Sequence, residues 1–261
     1  MITATGIRKQ FGDNIVLAGI DLEIAAGTIF SLLGPNGAGK TTTVQILSTL
    51  IAPDAGEIRV AGHDVVHDAD AVRAAIGVTG QYSAVDKMLT GRENLQLMAD
   101  LQHLGRRESR TRTARLVEQF DLGDFVDRRV DTYSGGMQRR LDLAMSLVGD
   151  PQVVFLDEPT TGLDPRSRRD MWHTIRALAG AGVTILLTTQ YLEEADQLAD
   201  RIAVLHEGTL VAQGTPAALK RLVPGGHVRL EFADIATLRA AAAIVAAGLP
   251  SSLAERLQYG Q

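Results

Sequence analysis

The stretch that decides the fold reads Gly34-Pro35-Asn36-Gly37-Ala38-Gly39-Lys40-Thr41. It fits the pattern G-x-x-x-x-G-K-[ST], in which glycines let the backbone approach an anion closely and leave N–H groups free to bind it. The residues before it, 28–33, predict a strand, and those after it, 41–50, predict a helix. A glycine-rich turn between a strand and a helix N-terminus predicts a phosphate-binding loop. The structural alternative is an ordinary glycine-rich turn.

The residue types of this loop predict how a nucleotide would be held. Lys40 would place a positive charge on the β- and γ-phosphates and act as one of the catalytic residues. The Thr41 hydroxyl would ligate Mg²⁺, and Thr42 would add a phosphate contact. The predicted nucleotide-binding residues of the loop are Gly34, Asn36, Gly37, Ala38, Gly39, Lys40, Thr41 and Thr42.

A second chemical signal is the pair Asp157-Glu158, which follows four apolar residues. A buried strand over 153–156 would deliver Asp157 to the sheet edge, where it can hold Mg²⁺ through water. Glu158 would orient or deprotonate an attacking water as a catalytic residue, because phosphoryl transfer needs a metal, a cation and a positioned water. The alternative is a pair of solvated acids at the end of a strand.

Further apolar runs at 76–79, 184–187 and 201–205 suit strands covered on both faces, and a helical pattern over 166–179 lies between two of them. This alternation predicts an α/β fold. We expect one large domain over 1–224, with a core of about 1–84 and 151–224 and a helical subdomain over about 85–150. A short C-terminal α/β extension would follow over 225–261.

Composition narrows the class of protein. The 261 residues include no cysteine, which excludes disulfides, Cys-based zinc sites, iron–sulfur clusters and thiol nucleophiles. A net charge of −5 argues against non-specific nucleic-acid binding, so no nucleic-acid partner is expected. The chain opens without a charged-then-apolar leader, so we do not expect the protein itself to be secreted. No stretch has the ~18 apolar residues of a membrane span. If the protein works at a membrane, a partner would supply the spans.

Two further segments indicate the type of NTPase. The run Tyr133-Ser134-Gly135-Gly136-Met137 resembles the LSGGQ signature of ABC-type ATPases, and the run from Asp157 to Asp164 is similar to that family's Walker B and D-loop. The resemblance implies a P-loop NTPase with an ABC-type RecA-like core, an inserted helical subdomain and antiparallel β elements. It covers about residues 1–220.

The same resemblance assigns roles to individual residues. Gln81 fits the Q-loop, which implies a catalytic, nucleotide-binding and Mg²⁺-ligating residue, and Phe11 stands where the family places an adenine-stacking aromatic. Ser134, Gly135 and Gly136, here called the signature segment, would bind the γ-phosphate held by a second copy in an ATP-dependent head-to-tail homodimer. Asp164 would shape the junction between the two nucleotide sites.

Two positions depart from the family pattern. Gln190 stands where the family usually has a histidine, and Met137 replaces the signature glutamine. Because Gln190 can donate a hydrogen bond but cannot carry a proton, we expect Glu158 to carry the water chemistry and Gln190 to serve as a catalytic residue by positioning alone. The run from Thr189 to Asp196 also resembles the ATPases of daunorubicin/doxorubicin-resistance exporters.

The resemblance implies an ATPase that uses ATP and Mg²⁺ and drives a transmembrane permease, with about two copies of each. It would lie peripherally on the cytoplasmic face of the cell membrane and energise export of a drug, antibiotic or lipid. Three alternatives remain open from the residues: an importer ATPase, a non-transport ABC ATPase, and a sensor that binds ATP without hydrolysing it.

Overall fold

A computed structural model describes residues 1–80 and 84–222 of the chain, and Met1–Leu222 form one unit. Two of the predicted features, Gln81 and the extension over 225–261, lie outside the described residues. The described elements, in chain order, are β1 (Ile2–Phe11), β2 (Asn14–Ile24), β3 (Ile29–Leu33), α1 (Lys40–Leu47), β4 (Ala55–Val60), β5 (His63–Asp64), α2 (Ala69–Ala75), β6 (Ile76–Thr79), α3 (Gly91–Leu101), α4 (Arg106–Gln119), a 3-10 turn (Val130–Thr132), α5 (Gly135–Ser146), β7 (Val153–Asp157), α6 (Pro165–Gly180), β8 (Thr184–Thr189), α7 (Leu192–Leu198), β9 (Arg201–His206), β10 (Thr209–Gly214) and α8 (Pro216–Leu222).

A six-stranded sheet carries the strands predicted from the apolar runs, in the order β10-β9-β3-β8-β7-β6. Its strands run parallel except β10, which pairs antiparallel with β9. Every residue of β3, β7 and β8 is buried, as expected of strands covered on both faces. The carboxyl ends of β3, β7 and β8 therefore lie side by side, and the candidate site residues follow them.

A second, four-stranded antiparallel sheet has the order β2-β1-β4-β5. Its strands alternate buried and exposed residues, as a sheet with one face toward the core does. Ile7, Ile20 and Ile58 from its inner face share one buried cluster with Phe30 and Phe155 of the six-stranded sheet. Burying each such side chain stabilises the fold by roughly 1.5–3 kcal/mol. This packing sets the tip of β1 beside the loop that follows β3.

Between β6 and β7, the described residues form helices α3, α4 and α5, as expected of the predicted helical stretch over about 85–150. Helix α3 begins with a capping box, in which the Thr90 side chain accepts from the Glu93 N–H and the Glu93 carboxylate accepts from the Thr90 N–H. Leu95, Leu116 and Leu141 pack in one cluster with Leu156 on the other face of the sheet. The helices are thereby attached to the strand that ends at the acidic pair.

Among the predicted boundaries that differ from the structure, two have a local cause. Helix α1 ends at Leu47 rather than residue 50, because Thr49 adopts a left-handed φ of 63° that closes the helix. Strand β8 continues past Leu187 to Thr189, because Leu33 of β3 pairs with that residue. None of the described helices is long and apolar enough to cross a bilayer.

Candidate nucleotide-binding site

The glycine-rich loop joins β3 to α1, the context that the sequence predicts. A Cβ at Gly34 would clash with the carbonyl oxygen of Leu205, and one at Gly39 would lie 2.7 Å from Leu17 Cδ2. Gly39 also has a φ of 105°, in the left-handed region. It caps α1 without a side-chain hydrogen bond. The helix thus presents its N-terminal amides through a loop that only glycine can form, which suits a phosphate.

Lys40 begins α1 and is only 5% exposed. Its Nζ donates to the carbonyl oxygens of Gly34 at 2.9 Å and Pro35 at 3.1 Å, and lies 3.4 Å from Glu158 Oε1. A buried ammonium needs such partners because desolvation of an unpaired charge is costly. The ammonium is therefore held inside the loop, next to one of the two acids.

Asp157 ends β7 and is buried against two threonines. Its Oδ2 accepts from Thr41 Oγ1 at 2.9 Å, and its Oδ1 accepts from Thr188 Oγ1. The second contact follows from strand register, because Asp157 and Thr188 are paired residues on β7 and β8. Thr188 was not among the predicted site residues, and only its place at the end of an apolar run could have indicated it. Carboxylate and hydroxyl oxygens together form a donor set suited to Mg²⁺.

Glu158 follows Asp157 in an unusual backbone conformation, with a φ of 48°. Its N–H donates to Thr188, at 3.2 Å to the carbonyl oxygen and 3.1 Å to Oγ1. Its Oε2 accepts from Thr161 Oγ1 at 3.2 Å. A left-handed φ in a non-glycine residue costs roughly 1–3 kcal/mol, and such residues are concentrated at functional sites. The conformation turns the Glu158 side chain toward Lys40.

A cleft of about 440 Å³ brings eight of the predicted residues together. It is lined by Phe11, Asn14, Val16, Asn36, Gly37, Gly39, Lys40, Thr41, Thr42 and Glu158. Asn14 and Val16 were not predicted; they reach the cleft because β2 returns beside β1 after the turn that follows Phe11. Phe11 is 50% exposed at the mouth of the cleft, with Lys9 Nζ 5.3 Å from its ring centroid. Gly34 and Ala38 belong to the loop but are buried and do not line the cleft.

The signature segment does not line this cleft. Ser134 caps α5 and accepts from the Met137 N–H at 3.3 Å, as a serine before a helix should. A Cβ at Gly136 would lie 2.5 Å from Ser167 Oγ, so the segment packs against the start of α6. Gln190, exposed directly after β8, does not line the cleft either.

Asp164 caps α6 and is also outside the cleft lining. Its carboxylate accepts from Ser167 Oγ at 2.5 Å and from the Arg166 and Ser167 N–H groups at 3.0 Å. These hydrogen bonds, that of the Ser167 side chain first, hold the pKa of the Asp164 carboxyl below its usual range. Asp164 and Gly136 thus both lie against Ser167 at the start of α6.

Sequence comparison identifies the family. A family model described as ABC transporter matches residues 17–161. The chain is 54% identical over 244 residues to daunorubicin resistance ATP-binding protein DrrA3 of Streptomyces coeruleorubidus, a match covering 94% of this chain and 77% of the relative. The chain belongs to the ABC transporter family. This ABC ATPase is also 44% identical to Nod factor export ATP-binding protein I of Paraburkholderia xenovorans, over 82% of this chain and 70% of that protein.

Solved structures agree with the predicted fold. The dimeric, post-hydrolysis state of the ATP-binding cassette MJ0796, bound to ADP and Pi, matches with a TM-score of 0.74 at 25% identity, over 83% of this chain and 99% of that one. The P-loop NTPase fold expected from the sequence is confirmed. ABC ATPase subunits bind ATP and ADP, dimerise and work with a transmembrane permease, and this chain is an ATP-hydrolysing subunit of that kind.

Proposed function

We propose that this ABC ATPase energises export of a drug, antibiotic or lipid through a separate permease. The relatives that match most of the chain are named for daunorubicin resistance and for Nod factor export. These names favour export over the importer and non-transport alternatives. The observation that carries the ATPase chemistry is the cleft that joins Phe11, the phosphate loop and Glu158.

The loop amides and Lys40 would hold the β- and γ-phosphates, with Thr42 adding a contact. The fit is supported by the absence of a side chain capping α1, because the first-turn amides of that helix are directed at the loop. Phe11, half exposed at the mouth of the cleft, would stack on adenine. The loop amides, Lys40, Thr42 and Phe11 would act by binding the nucleotide and would not react with it, because phosphoryl transfer depends mainly on positioning and charge stabilisation.

Mg²⁺ would be held by Thr41 and Asp157, whose side chains already meet at 2.9 Å, with Gln81 as the predicted third ligand. When bound, the ion neutralises phosphate charge and orients the γ-phosphate. Thr188 would orient the Asp157 carboxylate by its hydrogen bond to Oδ1. The donor set fits a hard cation.

Glu158 would take the proton of the attacking water, because its side chain lines the cleft and is directed at the position of Lys40. Gln190 would position the γ-phosphate as a hydrogen-bond donor only. It lies next to the site at the end of β8, immediately after Thr189.

A second copy would complete each site, since the signature segment of one chain lies away from its own cleft. In a head-to-tail pair, Ser134 and the amides of Gly135 and Gly136 would cover the γ-phosphate held by the other chain. The start of α5 suits this role because a helix N-terminus attracts an anion. Asp164, fixed beside Gly136 through Ser167, would lie at the junction.

The permease would dock on the surface around Met88 and helix α3. Met88 is 69% exposed there, and Leu97 and Leu101 on one face of α3 are also exposed. About two permease copies or halves would match two ATPase chains. The ATPase would then lie peripherally on the cytoplasmic face of the membrane.

Purification tests this function. We expect the chain, isolated gently from membranes, to carry a polytopic protein with it, and vesicles holding both to move daunorubicin with MgATP. A Lys40→Ala chain should keep the membrane protein but lose ATP binding and transport. Vesicles that consume ATP normally with the Lys40→Ala chain would contradict the nucleotide site, and copurification without drug movement would restrict the error to the substrate class.

A further inference from the structure

Arg139 lies in α5, about one helical turn after Gly136 of the signature segment. Its side chain contacts the backbone next to the acidic pair Asp157-Glu158. Its Nε donates to the carbonyl oxygen of Pro159 at 2.9 Å, and its Nη2 donates to that of Asp157 at 3.1 Å. These two carbonyls flank Glu158. One planar guanidinium therefore holds the backbone on both sides of the residue that turns toward Lys40.

The same guanidinium contacts a third part of the chain. Its Nη1 donates to the carbonyl oxygen of Gly80 at 3.0 Å and to Asp142 Oδ2 at 3.1 Å. Asp142 Oδ1 in turn accepts from the Ala84 N–H at 3.2 Å. The pair thus binds the two residues that border 81–83, the segment containing Gln81.

Burial strengthens the hydrogen bonds of Arg139 and Asp142. The Arg139 side chain is 12% exposed and that of Asp142 is 4% exposed. A desolvated guanidinium forms strong, directional hydrogen bonds, and its fork spreads them over several acceptors in a way that an ammonium cannot. No other basic side chain among residues 1–80 and 84–222 is hydrogen-bonded to the Asp157 or Pro159 carbonyl.

We propose that Arg139 is a positioning residue for ATP hydrolysis, which sets Glu158 by holding the Asp157 and Pro159 carbonyls while Asp142 orients the guanidinium. The inference rests on the proposed role of Glu158. The left-handed φ of Glu158 is held by Thr188 through the N–H and by Arg139 through the neighbouring carbonyls. Because Arg139 is carried by the helix that begins at the signature segment, it also couples the position of that helix to Glu158 within one chain.

The test compares Arg139→Gln with Arg140→Gln in the full chain, assayed at concentrations where dimers form. Arg140 is the matched control because its guanidinium lies over the Phe125 ring and 3.7 Å from Asp121. We expect Arg139→Gln to lower kcat roughly 10- to 100-fold, as misplacement of a catalytic group by about 1 Å does. ATP affinity, measured by equilibrium binding, should stay within about threefold of wild type, because no nucleotide contact is removed.

Three further variants separate positioning of Glu158 from effects on folding, on charge and on other catalytic groups. Arg139→Gln with Asp142→Asn also removes the charge of the buried carboxylate that accepts from Arg139, and should melt close to wild type while keeping the loss of kcat. Arg139→Lys should restore little turnover, because one ammonium cannot reach carbonyls on both sides of Glu158. Adding Glu158→Gln to Arg139→Gln should cause no loss beyond that of Glu158→Gln alone.

Three results would overturn the inference: turnover of Arg139→Gln equal to that of Arg140→Gln, a fall in ATP affinity as large as the fall in kcat, or recovery of turnover in the double variant with Asp142→Asn. The variant Glu158→Gln keeps this failure distinct from that of the proposed function. If Glu158→Gln itself turns over normally, the role of Glu158 is wrong; if it is inactive while Arg139→Gln is active, only the role of Arg139 is.

Discussion

Glu194, almost fully buried, accepts a hydrogen bond at 3.1 Å from the indole N–H of Trp172. The same oxygen accepts from Thr160 Oγ1 at 2.7 Å. One carboxylate at the start of α7 thereby joins α6 to the loop that follows Glu158. Trp172 is the sole tryptophan of the chain, so its emission reports on this junction.

Glu194→Ala should destabilise the protein by about 2–4 kcal/mol, because two buried donors lose their acceptor and a cavity is left. Urea unfolding measures the loss, and Trp172 emission in the folded state should shift. Glu194→Gln keeps an acceptor oxygen and serves as the matched control, with a small change in both. Equal effects of the two variants would show that the carboxylate charge, rather than the acceptor, matters.

Glu158→Gln should abolish turnover while leaving ATP binding intact, because a neutral amide cannot take a proton from water. Gln190→Ala should be milder, since it removes a donor and no base. Single-turnover phosphate release and equilibrium ATP binding distinguish the two. Normal turnover in the Glu158 variant would mean that another group handles the water.

Thr188→Val should raise the Mg²⁺ concentration needed for half-maximal ATP hydrolysis by about 10- to 100-fold. This is the usual loss of metal affinity when a group that orients a metal ligand is removed. The change is nearly isosteric and removes the hydroxyl that donates to Asp157 Oδ1. Thr184→Val is the control: Thr184 is buried at the opposite end of β8, where its hydroxyl accepts from the Gly27 N–H. A titration of hydrolysis against Mg²⁺ should separate these variants, and coincident curves would refute the role of Thr188.

The Asp164 cap predicts an acid-dependent loss of stability. Because hydrogen bonds from Ser167 and Arg166 lower its pKa in the folded state, the cap stabilises the fold fully above the ordinary value near 3.8. This contribution is lost as pH falls through the lowered folded-state pKa. Asp164→Asn keeps a capping oxygen without titrating, so its stability should vary less between about pH 5 and about pH 2. Parallel pH profiles for variant and wild type would contradict this.

The elements that sequence alone could predict are those with short-range signals. The phosphate loop carries its glycines and Lys40 within one stretch, and the strand before Asp157 is a continuous apolar run, so both could be located directly. The domain limits, the signature segment's contact with a second nucleotide and the role of Gln190 stay predictions, and Gln81 lies outside the described residues.

What sequence could not predict depends on contacts between distant residues. Arg139 and Thr188 reach the acidic pair from other elements, and no local pattern indicates that a side chain of α5 would bind the carbonyls beside Glu158. The left-handed φ of Glu158 is equally hidden, because glutamate has no preference for it. These features arise from strand register and helix packing rather than from residue type.

The position of β3 between β8 and β9 constrains the order in which the strands can pair during synthesis. The strand that leads into the phosphate loop pairs with β8 and β9, so β3 has no strand partner until residues 184–206 have been synthesised. Nascent chains shorter than this would leave an unpaired apolar strand and no ordered nucleotide pocket. We therefore expect ATP to bind only after the late strands have joined the sheet, so that nucleotide binding would report on the pairing of β3 with β8 and β9.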